Sequence, residues 1–182
     1  AENFGVFTLQ RKVLDRSNIS LIFVNKQKIN SPENSPSEDA YNRNLGLEYN
    51  YFSEDNLWNG KLLFLQSFSP LEANQGSVFA SHIGYQSTRW NWRIQQEYVA
   101  GNYSADVGFI PRKNYIKLET RGGHLVYTQK ETPLLSHGPS VERTYYFDTS
   151  FEKKDQTTEF NYLFNFKNRS RFSVGFQSQF IE

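Results

Sequence analysis

His82, His124 and His137 are the only histidines of this 182-residue chain, and they bound its acid–base and metal chemistry. The first two fall in stretches that read as strands, the third beside Gly138-Pro139. No two are spaced to share one face of a metal site, and no His-Glu-x-x-His is present. With no Gly-x-Ser-x-Gly elbow, a serine hydrolase would have to assemble around His82 or His124 from residues distant in sequence. Glu97 and Asp106 could serve as a glycosidase pair only if folding brought them together. Standing on a wet face with Arg89 and Arg93, they need no such coincidence. Glu33, Glu38 and Asp39, in an acidic Pro-rich run, lack the regular oxygen spacing and Gly turn of a calcium loop, and that run reads as a solvated connection. Gly122-Gly123 has no phosphate-loop context and marks a bend or bulge. These residues point to no catalytic apparatus, no metal and no cofactor.

The elements that would carry these side chains are strands. Phe160, Tyr162, Phe164 and Phe166 alternate with Glu159, Asn161, Leu163 and Asn165; Phe172, Val174 and Phe176 alternate with Arg171, Ser173 and Gly175. Trp90, Trp92, Ile94 and Tyr98 alternate with Asn91, Arg93, Gln95 and Glu97. Successive side chains of a strand point to opposite faces, so each stretch has one greasy and one wet face. Period-two alternation predicts strands over 3–10, 17–26, 43–52, 57–68, 78–86, 89–99, 102–110, 114–128, 142–152, 158–167 and 171–181. The expected connections are short at 53–56, 87–88, 111–113 and 153–157, and long at 27–42, 69–77 and 129–141. The long ones all follow even-numbered strands, so in an up-and-down meander they share one end.

Composition narrows the class. A net charge of +1 with no basic stripe gives no reason to expect a nucleic-acid partner. The absence of cysteine excludes disulfides and thiolate metal sites. Apolar runs such as 21–24 and 62–65 are too short for a membrane helix. Barrel strands, however, alternate and stay nearly invisible to hydropathy. Most of the expected strands have the roughly 9–11 residues that a tilted strand needs to cross a bilayer. The 16 Phe, 11 Tyr and 3 Trp could form a soluble core, a sugar-stacking platform or lipid-facing girdles. Their recurrence in almost every strand, often near its ends, suits interfacial belts.

Two segments carry a resemblance. Residues 102–115, Asn-Tyr-Ser-Ala-Asp-Val-Gly-Phe-Ile-Pro-Arg-Lys-Asn-Tyr, resemble the "GF[VI]PR" strand-end signature of an uncharacterised family of Gram-negative outer-membrane β-barrels. Residues 16–27 resemble a second stretch of that family. There the barrel follows a sandwich similar to a family-9 carbohydrate-binding module, which has no counterpart in this chain. The resemblance implies fold and location and supplies no active residues.

The expectation is an all-β chain with a single domain over 1–182: an antiparallel up-and-down transmembrane β-barrel, and, from an odd count of eleven strands and the absence of an initiator Met, part of a larger one. It would act as a channel or membrane anchor of a surface assembly handling glycans or nutrients, with membrane lipid and other outer-membrane proteins as partners. Arg89, Arg93, Glu97, Asp106, Glu119 and Arg121 would line the lumen. Trp90, Trp92, Phe160, Tyr162, Phe164, Phe166, Phe172 and Phe176 would face lipid. The alternative is a soluble β-barrel or sandwich that binds a ligand.

Overall fold

The computed structural model describes every residue except 30–39, 72, 74, 109, 111, 130 and 182. The alternating stretches form β1 (Glu2–Val13), β2 (Ser17–Lys28), β3 (Tyr41–Phe52), β4 (Trp58–Phe68), β5 (Ser77–Gln86), β6 (Trp90–Val99), β7 (Tyr115–His124), the two-residue β8 (Val126–Tyr127), β9 (Leu134–Phe147), β10 (Lys153–Phe166) and β11 (Arg171–Ile181). Each long strand pairs antiparallel with its neighbour in sequence, and β8 extends β7 along β9. The result is an all-β, up-and-down sheet. It is open: β1 pairs with β2 alone and β11 with β10 alone, and both edge strands are exposed along almost their whole length.

Three expectations of the strand pattern are corrected. The described residues of 102–110 form no strand; they belong to the irregular connection between β6 and β7. Residues 129–141, expected as a long loop, lie largely within β9, and the turn expected at 153–157 falls at 148–152. Gly138-Pro139 is the source of the second error. Proline cannot donate to a ladder and is confined to places where no donor is needed. Pairing of β9 with β7 stops at Ser140↔Gly123 and resumes with β8 at His137↔Val126. Pro139 sits at that gap.

With ten long strands, connectivity sorts the ends differently from the expectation. The connections after β2, β4, β6 and β9 share one end; 14–16, 53–57, 87–89, 125–133 and 167–170 share the other. The ends of β2 and β4 therefore lie together, while the start of β9 lies at the opposite end.

Burial is inverted relative to a water-soluble fold. Among the described residues the buried set holds Asn42, Asn44, Ser17, Ser67, Ser69 and Ser136 beside only Val78, Val99, Ala100, Tyr103 and Tyr115 among apolar and aromatic residues. Leu47, Leu62, Phe64, Ile94, Trp90 and Phe176 are exposed.

Candidate functional site

Directly opposed residues of an antiparallel ladder share a face, so the register defines two surfaces. One row across the first reads Asn59, Gly84, Arg93, Arg121, Glu142, Glu159 and Gln177. The next reads Lys61, His82, Gln95, Glu119, Thr144, Thr157 and Gln179. This polar face is laced with ion pairs and charged hydrogen bonds: Lys61–Glu48 at 2.6 Å, Lys117–Glu119 at 2.7 Å, and Arg121 Nε donating to Glu142 at 2.8 Å. The Tyr115 hydroxyl donates to Glu97 at 2.8 Å.

The opposite face carries Leu21, Leu47, Phe64, Phe79, Tyr98, Ile116 and Phe147 in one row. Another row runs Trp58, Tyr85, Trp92, Gly122, Val141, Phe160 and Phe176. Aromatic clusters gather on it at the end that holds connections 53–57, 87–89 and 167–170. Trp58 meets Trp92 edge-on at 5.3 Å, and Phe164 lies 4.9 Å from Tyr162 and 6.0 Å from Phe172.

Of the residues expected in a lumen, Arg93, Glu97, Glu119 and Arg121 stand on the polar face. Arg89 lies in the 87–89 turn, and Asp106 in the connection between β6 and β7. Trp90, Trp92, Phe160, Tyr162, Phe164, Phe172 and Phe176 share the apolar face by register. Phe166, past a bulge, pairs with Leu134 at the strand end.

The histidines do not meet. His82 stands between Lys61 and Gln95, His124 packs on Trp90 at 4.1 Å, and His137 Nδ1 lies 2.6 Å from the Tyr162 hydroxyl. Among the described residues no histidine is hydrogen-bonded to a serine or carboxylate, and no cluster of three metal-ligating side chains forms. Glu33, Glu38 and Asp39 lie outside the described residues.

The feature that sequence reasoning missed is the 100–114 connection, which folds over the polar face. Its Tyr103 is 5 % exposed and packs with Val78, Val99, Ala100 and Tyr115, against which Leu65, Ala105, Ile110 and Tyr146 also lie. Burial pushes the Tyr103 phenol above its ordinary pKa. The polar atoms of the loop are held by side chains of distant strands. Asn42 donates to the Ser104 carbonyl at 3.2 Å and accepts from the Asp106 N–H at 3.1 Å. Ser67, fully buried, accepts from the N–H groups of Gly76 at 2.9 Å and Ser104 at 3.3 Å. Gly76 is required here, since a Cβ would lie 2.3 Å from the Tyr103 nitrogen.

Two ion pairs anchor the loop at opposite sides of the sheet. Lys26 of β2 meets Asp106 at 3.0 Å, with Glu2 at 3.6 Å. Arg112 meets Asp155 of β10 at 2.9 Å while lying 5.0 Å from the Tyr146 ring centroid. Beneath the loop remains a cavity of about 340 Å³, lined by Leu63, Leu65, Ala80, Glu97 and Tyr103 among others. The signal in the sequence was Tyr103-x-Ala105 between Gly101 and Ile110, small and apolar residues that suit inward packing; their alternation mimics a strand.

A polar, charge-paired face crossed by a strapped loop can bind, screen and orient solutes; among the described residues no histidine is hydrogen-bonded to a serine to make a nucleophile–base pair. The model of one family, described as "Domain of unknown function (DUF5916)", matches residues 1–182. The chain belongs to that family. Neither the curated proteins nor the solved structures give a match. What this DUF5916 chain presents to its surroundings is the two faces of its sheet and the loop that crosses the polar one.

Proposed function

We propose that the chain is the wall of a transmembrane β-barrel in the outer membrane of a Gram-negative bacterium, working as a passive channel or as the membrane anchor of a surface assembly that handles glycans or nutrients. One observation carries this reading: the sheet buries Asn42, Asn44, Ser67 and Ser136 on one face and leaves Leu45, Leu47, Leu62, Phe64, Phe79, Ile94 and Phe160 exposed on the other. A soluble sandwich or barrel has the reverse arrangement, with its apolar faces packed together. Lipid solvates an apolar outer band, and water fills a polar interior. The long strands run from 10 to 14 residues, enough to span with tilt.

The hydrocarbon layer tolerates no unpaired strand edge, so this reading requires the edges of β1 and β11 to be paired in the membrane, with each other or with further strands. Charged rows on the polar face would set selectivity and the 100–114 loop would narrow the bore. Aromatic clusters beside the 53–57, 87–89 and 167–170 turns would form one interfacial girdle.

Reconstitution tests the reading. The protein should need detergent to stay monodisperse, insert into vesicles with a β-rich circular dichroism spectrum, and give stepwise conductance in planar bilayers. A stable monomer in plain buffer would replace it with the soluble ligand-binding alternative. Insertion without conductance would retain the anchor and remove the channel.

A further inference from the structure

On the polar face, Arg93 and Arg121 stand directly opposite each other on β6 and β7. Glu142 and Glu159 do the same on β9 and β10. Like charges directly opposed across a ladder are destabilising, yet this one row contains two such pairs side by side. Arg121 is engaged by Glu142. Arg93 has no carboxylate partner among the described residues, and its neighbour on the other side is Gly84, which has no side chain. A Cβ at Gly84 would come within 3.3 Å of the Asn59 side-chain oxygen, so the glycine keeps a hollow open between Asn59 and Arg93. That hollow, about 250 Å³, is lined by Asn59, Gly84, Gln86, Asn91, Arg93 and Arg121.

We infer that this hollow is a binding site for a small polyhydroxylated anion, whose carboxylate or phosphate group sits between Arg93 and Arg121. A guanidinium presents a planar fork of donors that matches either oxyanion. An anion placed there offsets the repulsion of the two arginines. Side-chain amides both donate and accept, as a hydroxyl requires, and Asn59, Gln86 and Asn91 surround the fork with three of them. Two arginines exclude a metal cation. The site rests on the channel reading only for the route by which the solute arrives, and its binding is measured without transport.

The test is calorimetric titration of the purified protein in detergent micelles with glucuronate, glucose 1-phosphate and glucose. Both acids should bind and glucose should bind at least tenfold more weakly; the stronger of the two acids identifies the oxyanion. Arg93→Gln should weaken both acids at least tenfold, and Arg93→Lys, which keeps the charge but loses the fork, should fall between. Arg143→Gln, on the opposite face, should leave binding unchanged. Arg93→Gln removes a repulsion, so its melting temperature should equal or exceed that of the parent, which separates a binding defect from misfolding. Equal binding of glucose and its acids, no binding of any of the three, or an unaffected Arg93→Gln variant would each overturn the site. Conductance in planar bilayers is scored separately: binding without conductance would remove the channel and keep the site.

Discussion

Lys26 and Asp106, eighty residues apart in sequence, form an ion pair at 3.0 Å that ties the 100–114 loop to the second strand of the sheet. Lys26 also meets Glu2 at 3.6 Å, so one ammonium joins the first strand, the second and the loop. The Lys26 and Asp106 side chains remain partly open to solvent at 17 % and 31 % exposure, and pairs of this kind contribute about 0.2–1 kcal/mol.

The ion pair is therefore the weaker fastening of the loop, and Ser67 the stronger. Lys26→Ala should loosen the loop slightly. Ser67→Ala strips the acceptor from the Gly76 and Ser104 N–H groups, and an unsatisfied buried donor costs about 1–3 kcal/mol. Hydrogen exchange of the amides of residues 103–108 should accelerate several-fold more in Ser67→Ala than in Lys26→Ala. The reverse order would mean that the charge pair, not the buried hydroxyl, seats the loop.

Depth along β10 gives a graded test of whether the apolar face meets lipid, as proposed. Phe160 lies mid-strand opposite Val141 and Phe176, whereas Phe164 lies near the 167–170 turn. Arginine on a lipid face costs about 2–4 kcal/mol at the midplane and about 0–1 near the interface. In vesicle refolding titrations Phe160→Arg should fall in the first range and Phe164→Arg in the second, while Asn161→Arg on the polar face should cost little. Equal penalties at 160 and 161 would exclude a lipid–lumen division.

Connectivity alone orders the ends. Single cysteines at Ala73 and Ser150 should share one accessibility to an impermeant thiol reagent on whole cells, and cysteines at Glu131 and Asn168 should share the other. The longer connections, including 69–76 and 100–114, lie on the side of Ala73 and Ser150, and in outer-membrane barrels that side faces outward. Reaction at Ala73 and Ser150 with protection at Glu131 and Asn168 is the expected pattern; a mixed pattern within either pair would contradict the strand order.

The 53–57 turn has a pH signature. The Ser53 hydroxyl and the Leu57 N–H donate to the Asp55 carboxylate, and these hydrogen bonds hold its pKa below the ordinary aspartate value. A depressed folded pKa stabilises the turn above the unfolded aspartate pKa of about 3.9, and the contribution is lost as pH falls through the folded value. Carbon-detected NMR should show the Asp55 carboxyl titrating below free aspartate, with Leu57 amide exchange rising as it protonates. Titration at or above the free value would rule out the turn hydrogen bonds.

Much of the sheet was legible because face alternation is written into residue type: Phe160, Tyr162 and Phe164 against Glu159 and Asn161 leave one register that keeps charge off the apolar surface. The errors have physical causes. Tyr103, Ala105, Ser104 and Asp106 alternate as a strand does, but what selects their conformation is a patch made by Leu65, Val78, Val99 and Tyr115, residues scattered over four strands. Gly138-Pro139 signals a turn locally, and only the interrupted ladder between β7 and β8 makes room for it inside β9. The Arg93–Arg121 opposition depends on register across a connection with no local sequence signature, so the two arginines could be named but not paired.

The nearest-neighbour order of the strands carries a kinetic consequence. Every ladder joins segments adjacent in sequence, so hairpins can form independently and zip together without closing large chain loops, the circumstance that favours fast assembly. The 100–114 segment is the exception: its partners include Lys26, Asn42, Ser67 and Asp155, and the full set of these contacts can be made only once β2 through β10 are side by side. The strap is thus the last piece to settle, and its docking reports that the wall behind it has already assembled.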